Sequence, residues 1–343
     1  MTPYPKNLLE FQRMFPSEGS CTRYMARVRW PDGFVCRYCG SRKAPFTFAN
    51  RPLVVRCRRC RKDTSLTAGT VMHGTRTPLC TWFWSAYLAT TQTPGMSALQ
   101  LQRQLGIPRY ETAFQVLHKL RAPMVRPGRD RIGAEYPVEV DETLVGGRTR
   151  GEGRGVHHKV YVVGAVEVRR RQKGEDRAAE GSEEHEGGVP LKRPVYAGRL
   201  RLRLLQSRGR SGLSRFVRES VEPGAVVLTD GWQGYAGLVG MGYQHQAVII
   251  GDDPKQAEKH LPLIHLVFSN MKAWLYGTHH GVSQHHLQAY LNEYVFRFNR
   301  RFYPMTSFAT LLGLGAIEKG PTYDGLYDGA WQHPNLAVGG GAP

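Results

Sequence analysis

Two aspartates, each within or at the end of an apolar segment, are the residues of this chain best suited to chemistry. Asp141 lies in Val-Glu-Val-Asp-Glu-Thr-Leu-Val (138–145), and Asp230 ends Ala-Val-Val-Leu-Thr-Asp (225–230). A carboxylate inside a β-branched run is costly to bury without a partner, and a bound cation is one such partner. Glu142 follows Asp141 directly, so on a strand only one of the two can face a common site. In a chain rich in basic residues, the two aspartates predict a divalent-metal site for phosphodiester chemistry.

Four cysteines form two CxxC pairs near the start of the chain. Cys36 and Cys39 are separated from Cys57 and Cys60 by 57 − 39 − 1 = 17 residues. This spacing is typical of a zinc ribbon, in which two knuckles supply four thiolates to one tetrahedral Zn²⁺. The alternative is two redox-active pairs, but no thioredoxin-like βαβ pattern surrounds them. The two other cysteines, Cys21 and Cys80, are predicted to be unpaired packing residues.

The charge balance points to a polyanionic partner. Lys and Arg exceed Asp and Glu by 47 − 28 = 19, which gives a sequence pI of about 9.9. Nucleic acid is the first candidate, although a generally basic proteome would give the same balance. The sequence has no run of about 18 apolar residues, so no membrane span or membrane partner is expected. The N-terminus has no signal-peptide core, which predicts a cytoplasmic, nucleoid-associated protein.

Residues 78–125 are predicted to be helical. Ser97 is a suitable N-cap for a helix that ends at Gly106, and a second helix follows over 110–121. Two helices joined by a short turn form a helix-turn-helix outline. Many helical hairpins of this kind do not bind DNA, but the ribbon and the net charge favour DNA binding. The predicted DNA contacts here are Arg109, Lys119 and Arg121.

Beyond a Pro/Gly-rich linker (126–135), the order of elements predicts an α/β fold. Three strands come first, then a helix, a strand that ends at Asp230, a further strand and two long helices, over 262–276 and 283–299. This order is that of an RNase H-like fold, in which acidic residues converge in the middle of the sheet. The predicted organisation is an N-terminal helical segment (1–27), a zinc ribbon (28–65), a helix-turn-helix-like domain (78–125), an RNase H-like catalytic domain (136–302) with a solvated charged insertion (169–190), and a poorly ordered Gly/Pro-rich tail (303–343).

Three segments now carry a resemblance to a known family. They are Val-Asp-Glu-Thr-Leu-Val-Gly-Gly (140–147), Thr-Asp-Gly-Trp-Gln-Gly-Tyr (229–235), and Gly-Thr-His-His-Gly-Val-Ser with the later Tyr-Leu-Asn-Glu-Tyr-Val-Phe-Arg-Phe-Asn-Arg-Arg (277–301). Residues 15–302 resemble bacterial insertion-sequence transposases of the DDE class, in the group related to eukaryotic Merlin elements. The resemblance implies that Asp141 and Asp230 are the first two catalytic carboxylates and that Mg²⁺ or Mn²⁺ is the catalytic cofactor.

The third catalytic position departs from the family pattern. The relatives carry a Glu seven residues before a Lys; here Lys272 matches, but 272 − 7 = 265 is His265. The spacing of 35 residues from Asp230 suits a third member, and His265 and Lys272 fall on nearly one face of a helix. Asn270 is the rival candidate, because an amide oxygen suits Mg²⁺ better than an imidazole nitrogen. Asn270 lies near a predicted apolar stripe that includes Leu266, which favours a position facing the core.

A neutral third ligand leaves the site one negative charge short. Either Glu142 or a DNA phosphate would compensate for that charge. Further candidate DNA contacts lie in and after the two long helices, although a capped turn or a solvated helix end would explain them equally: His279, His280, Arg297, Arg300 and Arg301.

The sequence therefore favours an active transposase that binds the terminal inverted repeats of its element, cuts the ends and joins them to target DNA. Both ends must be held together, which predicts a homodimer or a larger homo-oligomer on double-stranded DNA. A catalytically degenerate DNA-binding protein derived from a transposase is the alternative, and the missing Glu supports it. A plain metal nuclease would share the site without needing a domain for the element ends.

Overall fold

The computed structural model describes residues 3–125, 130–146, 159–171, 194–248 and 260–317. The chain forms two compact units. The first, here called the ribbon unit, comprises Met1–Arg129 and Asn292–Pro343, and the second, the sheet unit, is Asp130–Leu291. No helix in the described ranges is long and apolar enough to cross a membrane.

The ribbon unit begins with two helices, α1 (Leu8–Met14) and α2 (Glu18–Arg29). The start of α2 is fixed by a capping box, in which Ser17 and Ser20 each accept the backbone N–H of the other. Three short strands follow, β1 (Phe46–Thr47), β2 (Val54–Arg56) and β3 (Asp63–Ser65). They pair antiparallel in the order β1-β2-β3, the hairpin arrangement expected of a zinc ribbon.

The predicted helix-turn-helix outline is present in the ribbon unit. The apolar helix α3 (Leu79–Thr91) precedes α4 (Ala98–Leu105) and α5 (Tyr110–Arg121). The Ser97 side chain accepts the N–H of Gln100 and so caps α4, as predicted. Gly106 ends α4 with a φ of 61°, a left-handed conformation that glycine adopts without a steric penalty.

The prediction of a poorly ordered tail from residue 303 is wrong for its first part. Pro304–Ile317 forms a helix, α9, that lies in the core of the ribbon unit. Phe308 is fully buried and its ring packs against the rings of Phe11, Phe15 and Phe83. The segment forms a helix in the core because its apolar side chains are buried there. Aromatic side chains such as Phe308 contribute most of the surface area that is removed from water. Residues 318–343 lie outside the described ranges.

The sheet unit is built on five strands with the order of an RNase H-like fold. They are β4 (Val138–Val145), β5 (Val160–Arg170), β6 (Val195–Leu205), β7 (Val226–Thr229) and β8 (Gln244–Ala247). Their order in the sheet is β6-β5-β4-β7-β8. The first three pair antiparallel, whereas β7 runs parallel to both β4 and β8. Consequently β4 is the central strand.

Three helices accompany the sheet: α6 (Arg210–Ser220), α7 (Pro262–His279) and α8 (Gln284–Phe298). Alternate residues of β4 face opposite sides of the sheet. Val138 and Val140 share a buried cluster with Leu213 and Phe216 of α6. The residues between them therefore face the other side, where α7 lies.

The compact sheet unit ends at Leu291, inside α8, and the predicted catalytic domain (136–302) runs to the end of that helix and beyond. One predicted boundary changes in the structure. The predicted insertion starts at 169, yet Arg169 and Arg170 still pair with β6 as the last residues of β5. A charged side chain does not end a strand while its backbone remains paired. The rest of the insertion, from residue 172, lies outside the described ranges.

Candidate active site

The two candidate aspartates lie on neighbouring parallel strands. The register pairs Val138 with Val227 and Glu139 with Leu228, and continuing it by two residues brings Asp141 opposite Asp230. Asp141 is buried, with 7% of its surface exposed, and Asp230 is half-buried directly after β7. Parallel pairing thus brings together two carboxylates that are 230 − 141 = 89 residues apart in sequence.

Negative charge accumulates around Asp141. Burial, together with the charges of Glu142 and Asp230, raises the pKa of the Asp141 carboxyl to about 8. Burial and the charge of Asp230 also raise the pKa of Glu142. A divalent cation among these oxygens would remove the repulsion, and carboxylates are ligands that Mg²⁺ prefers. The donor set therefore fits a hard divalent metal.

His265 lies in the first turn of α7 beside Asp141. Its Nε2 is 3.3 Å from Oδ2 of Asp141, and about a third of its side chain (32%) is exposed. Within the described ranges, one group of three or more His, Cys, Asp or Glu residues has all its ligand atoms within 4.8 Å of one another, and that group consists of cysteines. Asp141, Asp230 and His265 therefore form an open arrangement, with room for metal and substrate oxygens.

Asn270 is exposed, so the expectation that it faces the core is wrong. The predicted apolar stripe included Leu266, but Leu266 is itself 44% exposed. Asn270 follows Leu266 by four residues and therefore lies on the same outer side of α7. The buried face of the helix is rotated away from both residues and comprises Leu263, Ile264, Val267, Phe268, Met271, Trp274 and Leu275.

Lys272 contacts the catalytic strand two turns further along α7. Its Nζ donates a hydrogen bond of 2.6 Å to Oγ1 of Thr143. Burial, and to a smaller extent the charge of Lys159, lowers the pKa of Lys272. Thr143 lies on the same face of β4 as Asp141, so the ammonium group is held beside the acidic residues.

The four cysteines of the CxxC pairs form a second site, in the ribbon unit. Their Sγ atoms all lie within 4.8 Å of one another, with 3.6 Å between Cys36 and Cys60 and 3.7 Å between Cys39 and Cys57. Sulfurs of a tetrahedral zinc site with bonds of 2.3 Å would be about 3.8 Å apart. A hydrogen bond from the backbone of Cys60 contributes most to lowering the pKa of Cys57, to about 6, which favours the thiolate. These residues fit a structural Zn²⁺.

Two family models match the chain. Residues 16–63 match the transposase zinc-ribbon domain, and residues 133–299 match the ISXO2-like transposase domain. Together the two matched segments cover well over half of the chain. The chain belongs to the ISXO2-like transposases. No match was found among curated proteins or among solved structures.

Two of the predicted DNA contacts are bonded to other residues of the ribbon unit. Arg121 is 2% exposed and its Nε donates 2.7 Å to Glu293, which is 1% exposed. This burial corrects the expectation that Arg121 is available outside its helix. Arg297 is half-buried, with 13% of its side chain exposed, and donates to the carbonyl oxygens of Gln92 and Thr93, while its contact with DNA stays a prediction.

The other predicted contacts of the transposase differ in exposure. Arg109 is exposed at the start of α5, and Lys119 is half-buried, with its pKa lowered by burial. Arg300 and Arg301 stack on aromatic rings near the end of α8, over Phe296 and over Phe298. These cations remain at least partly accessible.

The two histidines at the end of α7 play different structural parts. His279 packs edge-on against Trp274 and Tyr290, at ring-centroid distances of 4.8 and 4.6 Å. His280 is exposed and ends the helix in a left-handed conformation with φ of 55°. The alternative of a capped turn between helices therefore describes this segment well.

The sequence did not single out three features of the site. Glu139 is 2% exposed on β4 and accepts backbone N–H groups at the start of α7. Tyr235 is fully buried, and its hydroxyl donates a hydrogen bond of 2.6 Å to Glu142. Arg208 lies 3.7 Å from Glu142 and stacks 3.6 Å above the ring of Trp232.

One of these features left a signal in the sequence. Glu139 shares the alternation of Asp141, which is detectable in Val-Glu-Val-Asp, whereas nothing local marks Arg208. Trp232 follows Asp230 by two residues and is 39% exposed beside the guanidinium of Arg208.

Proposed function

We propose that this chain is an active insertion-sequence transposase that binds the terminal inverted repeats of its element and catalyses metal-dependent DNA cleavage and strand transfer. The observation that carries the proposal is the neighbourhood of Asp141. Asp230 lies opposite it on the parallel strand, and His265 approaches it from α7 at 3.3 Å. The two carboxylates supply oxygen ligands for a divalent metal, and the imidazole stands at the position where the relatives carry a third carboxylate.

Asp141 and Asp230 would hold the catalytic Mg²⁺ or Mn²⁺, with His265 as the third protein ligand. When bound, such ions lower the pKa of the attacking oxygen and stabilise the leaving oxygen. His265 carries no negative charge, so the phosphate of the bound DNA completes the charge balance. Asn270 is the weaker candidate, because it lies on the exposed side of α7.

Two cations beside the carboxylates suit a phosphate substrate. Lys272 is anchored on Thr143 at 2.6 Å, and Arg208 lies flat over Trp232. An ammonium in a partly desolvated site attracts phosphate oxygen as a point charge, whereas a guanidinium offers a fork of N–H groups. These residues would orient the scissile phosphate while Glu142 remains bound to Tyr235.

The ribbon supports binding to DNA. Six of its cationic side chains lie over three aromatic rings: Arg37 and Lys62 over Tyr38, Arg58 and Arg61 over Phe46, and Arg51 and Arg56 over Phe48. Arg51 and Arg56 are also ion-paired with Asp63, so Arg37, Arg58, Arg61 and Lys62 are the members of this set best placed to contact phosphate oxygens. We assign this face, with Arg109 of α5, to the element ends, and we expect a homodimer to hold the two ends.

The test is strand transfer of a labelled element end in Mg²⁺ or Mn²⁺. Wild type is compared with Asp141→Ala, Asp230→Ala and His265→Ala, and Asn270→Ala is the matched control on the same helix. Loss of activity in the first three variants, with activity kept in Asn270→Ala, supports the proposed site. Loss in Asn270→Ala with activity kept in His265→Ala would move the third ligand to Asn270.

The second candidate function is that of a catalytically degenerate DNA-binding protein. The observation that favours it is the imidazole at a position where relatives carry a carboxylate. Tight binding to element ends by a wild-type protein that neither cuts nor joins them would establish this function instead.

A further inference from the structure

Glu139 is a buried carboxylate that lies on the same strand and the same face as Asp141. It precedes Asp141 by two residues of β4, so both side chains point toward α7. Only 2% of Glu139 is exposed. Its Oε2 accepts the backbone N–H of Leu263 at 2.9 Å and that of Ile264 at 2.8 Å.

These two N–H groups belong to the first turn of α7. The first N–H groups of a helix have no partner within the helix and need one from elsewhere. The residue at the N-cap is Leu261, whose side chain cannot accept a hydrogen bond, and no local side chain caps this helix. Glu139 supplies the missing acceptor from the catalytic strand.

The residue that follows these two amides is His265. It is therefore held in the same turn that Glu139 caps, with its Nε2 3.3 Å from Oδ2 of Asp141. Further along α7, Lys272 contacts Thr143 of the same strand. The face of β4 formed by Glu139, Asp141 and Thr143 thus contacts α7 at successive turns, and Glu139 fixes the turn nearest the metal ligands.

The sheet also allows an unusually close approach of α7 at this point. Gly164 of β5 pairs with Asp141, and a Cβ on it would lie 2.8 Å from Ile264 and 2.9 Å from Phe268. The helix therefore rests directly on the backbone of the sheet at this point. The carboxylate of Glu139 and the hydrogen bond from Lys272 to Thr143 are polar contacts that fix α7 along β4.

We propose that Glu139 is a positioning residue of the catalytic centre. From β4 it holds the first turn of α7 so that His265 reaches the metal held by Asp141. The inference rests on the proposed function, because that function assigns His265 and Asp141 to the metal site. Glu139 itself contacts neither metal nor substrate, since its Oε2 is occupied by the two amides and the side chain is buried.

The test is the affinity of the full-length protein for Mn²⁺ without DNA, measured by electron paramagnetic resonance of the free ion. Removing a group that orients a metal ligand typically weakens metal binding 10- to 100-fold. We expect that loss in Glu139→Leu, which keeps roughly the size of the side chain but has no oxygen to accept the two N–H groups. The matched control is Glu135→Leu, the same change at an exposed position ahead of the same strand, and it should bind Mn²⁺ as wild type does.

A double variant separates positioning from general damage to the fold. If Glu139 acts through His265, Glu139→Leu should weaken Mn²⁺ binding less than twofold when His265 is already Ala. An equal loss in both backgrounds, or no loss in Glu139→Leu alone, would overturn the inference. If Glu139→Leu does not fold, Glu139→Asp decides: its shorter carboxylate cannot reach both amides, and unchanged Mn²⁺ affinity would overturn the inference.

Asp141→Ala distinguishes this inference from the proposed function. If Asp141→Ala retains Mn²⁺ binding, the assigned metal site is wrong and the inference falls with it. If Asp141→Ala abolishes binding while Glu139→Leu does not weaken it, the site stands and only the role of Glu139 is refuted.

Discussion

Arg121 and Glu293 form an ion pair that is almost completely shielded from solvent. The two residues are 172 positions apart, and their Nε and Oε2 atoms lie 2.7 Å from each other. Removing one partner of a buried pair leaves an uncompensated charge, which typically costs about 3–5 kcal/mol. The pair is therefore a structural contact between α5 and the last part of α8, both in the ribbon unit.

We expect Arg121→Ala to destabilise the ribbon unit by about 3–5 kcal/mol. Arg109→Ala, an exposed arginine at the start of the same helix, should change stability by less than about 0.5 kcal/mol. Urea unfolding followed by circular dichroism measures both variants. Equal stability of the two variants would show that the burial of Arg121 carries no energetic consequence.

The residue scale also shows where sequence patterns are insufficient. The CxxC spacing defines the zinc ligands because all four lie within 25 residues, and the strand alternation locates Asp141. Arg121 was misjudged because its partner is remote, and a basic residue at a helix end resembles a DNA contact until that partner is known. Whether such a side chain is buried or exposed depends on tertiary packing.

At the scale of elements, the contact between α7 and the sheet depends on Gly164. A Cβ at this position would lie within 3.0 Å of Ile264, Phe268 and Leu202. Overpacking of this kind typically costs about 1–3 kcal/mol, and here it would also displace α7 from β4.

Gly164→Ala should therefore lower both stability and strand transfer. Gly240→Ala is the control, because a Cβ on Gly240 meets nothing within 4 Å and the residue is exposed. Thermal melts and the strand-transfer assay measure the two effects. Full activity of Gly164→Ala would mean that α7 tolerates displacement, against the close packing described above.

Most of the helices and strands could be predicted from the sequence, but the last helix, α9, was not predicted. The strands and the long helices of the sheet unit follow clear periodic patterns, and the parallel pairing of β4 with β7 follows from the RNase H-like order. The helix α9 was missed because it lies in a segment whose overall Gly and Pro content obscures its apolar face. Phe308 and Leu311 become informative only once the core they fill is known.

At the scale of the molecule, the zinc site should be separable from the catalytic site. Structural zinc sites typically contribute about 10–16 kcal/mol of binding free energy to the folding of their domains. Cys57→Ser should lose the zinc, the fold of the ribbon and the binding of element ends, while Mn²⁺ binding at Asp141 persists. Cys80 is not one of the four predicted zinc ligands, so Cys80→Ser should keep one zinc per chain. A metal-content assay and DNA-binding measurements on both variants test this prediction.

The net charge of +19 predicts strongly salt-dependent DNA binding. Each neutralised phosphate contributes about 0.9 to the slope of log affinity against log salt. Replacing Arg58 and Lys62 by alanine should therefore lower the slope by about 2. Lys6 and Arg13 are exposed and lie outside the zinc ribbon (28–65). Replacing these two residues by alanine removes the same charge and should leave the slope unchanged. Equal slopes in both double variants would argue against the ribbon as the DNA-binding face.

The discontinuity of the ribbon unit in sequence has a consequence for biosynthesis. The sheet unit is one continuous segment, whereas the core of the ribbon unit includes α9, which ends 317 − 129 = 188 residues after the first part of that unit. At about 5–20 residues per second, the ribosome needs roughly 10–40 s to make this stretch. During that time the N-terminal part of the ribbon unit lacks the helix that bears Phe308. The sheet unit is synthesised before that helix and can therefore fold before the ribbon unit is complete. A nascent chain released early would carry the strands that bear Asp141 and Asp230 but not α9, so it could not complete the core of the ribbon unit.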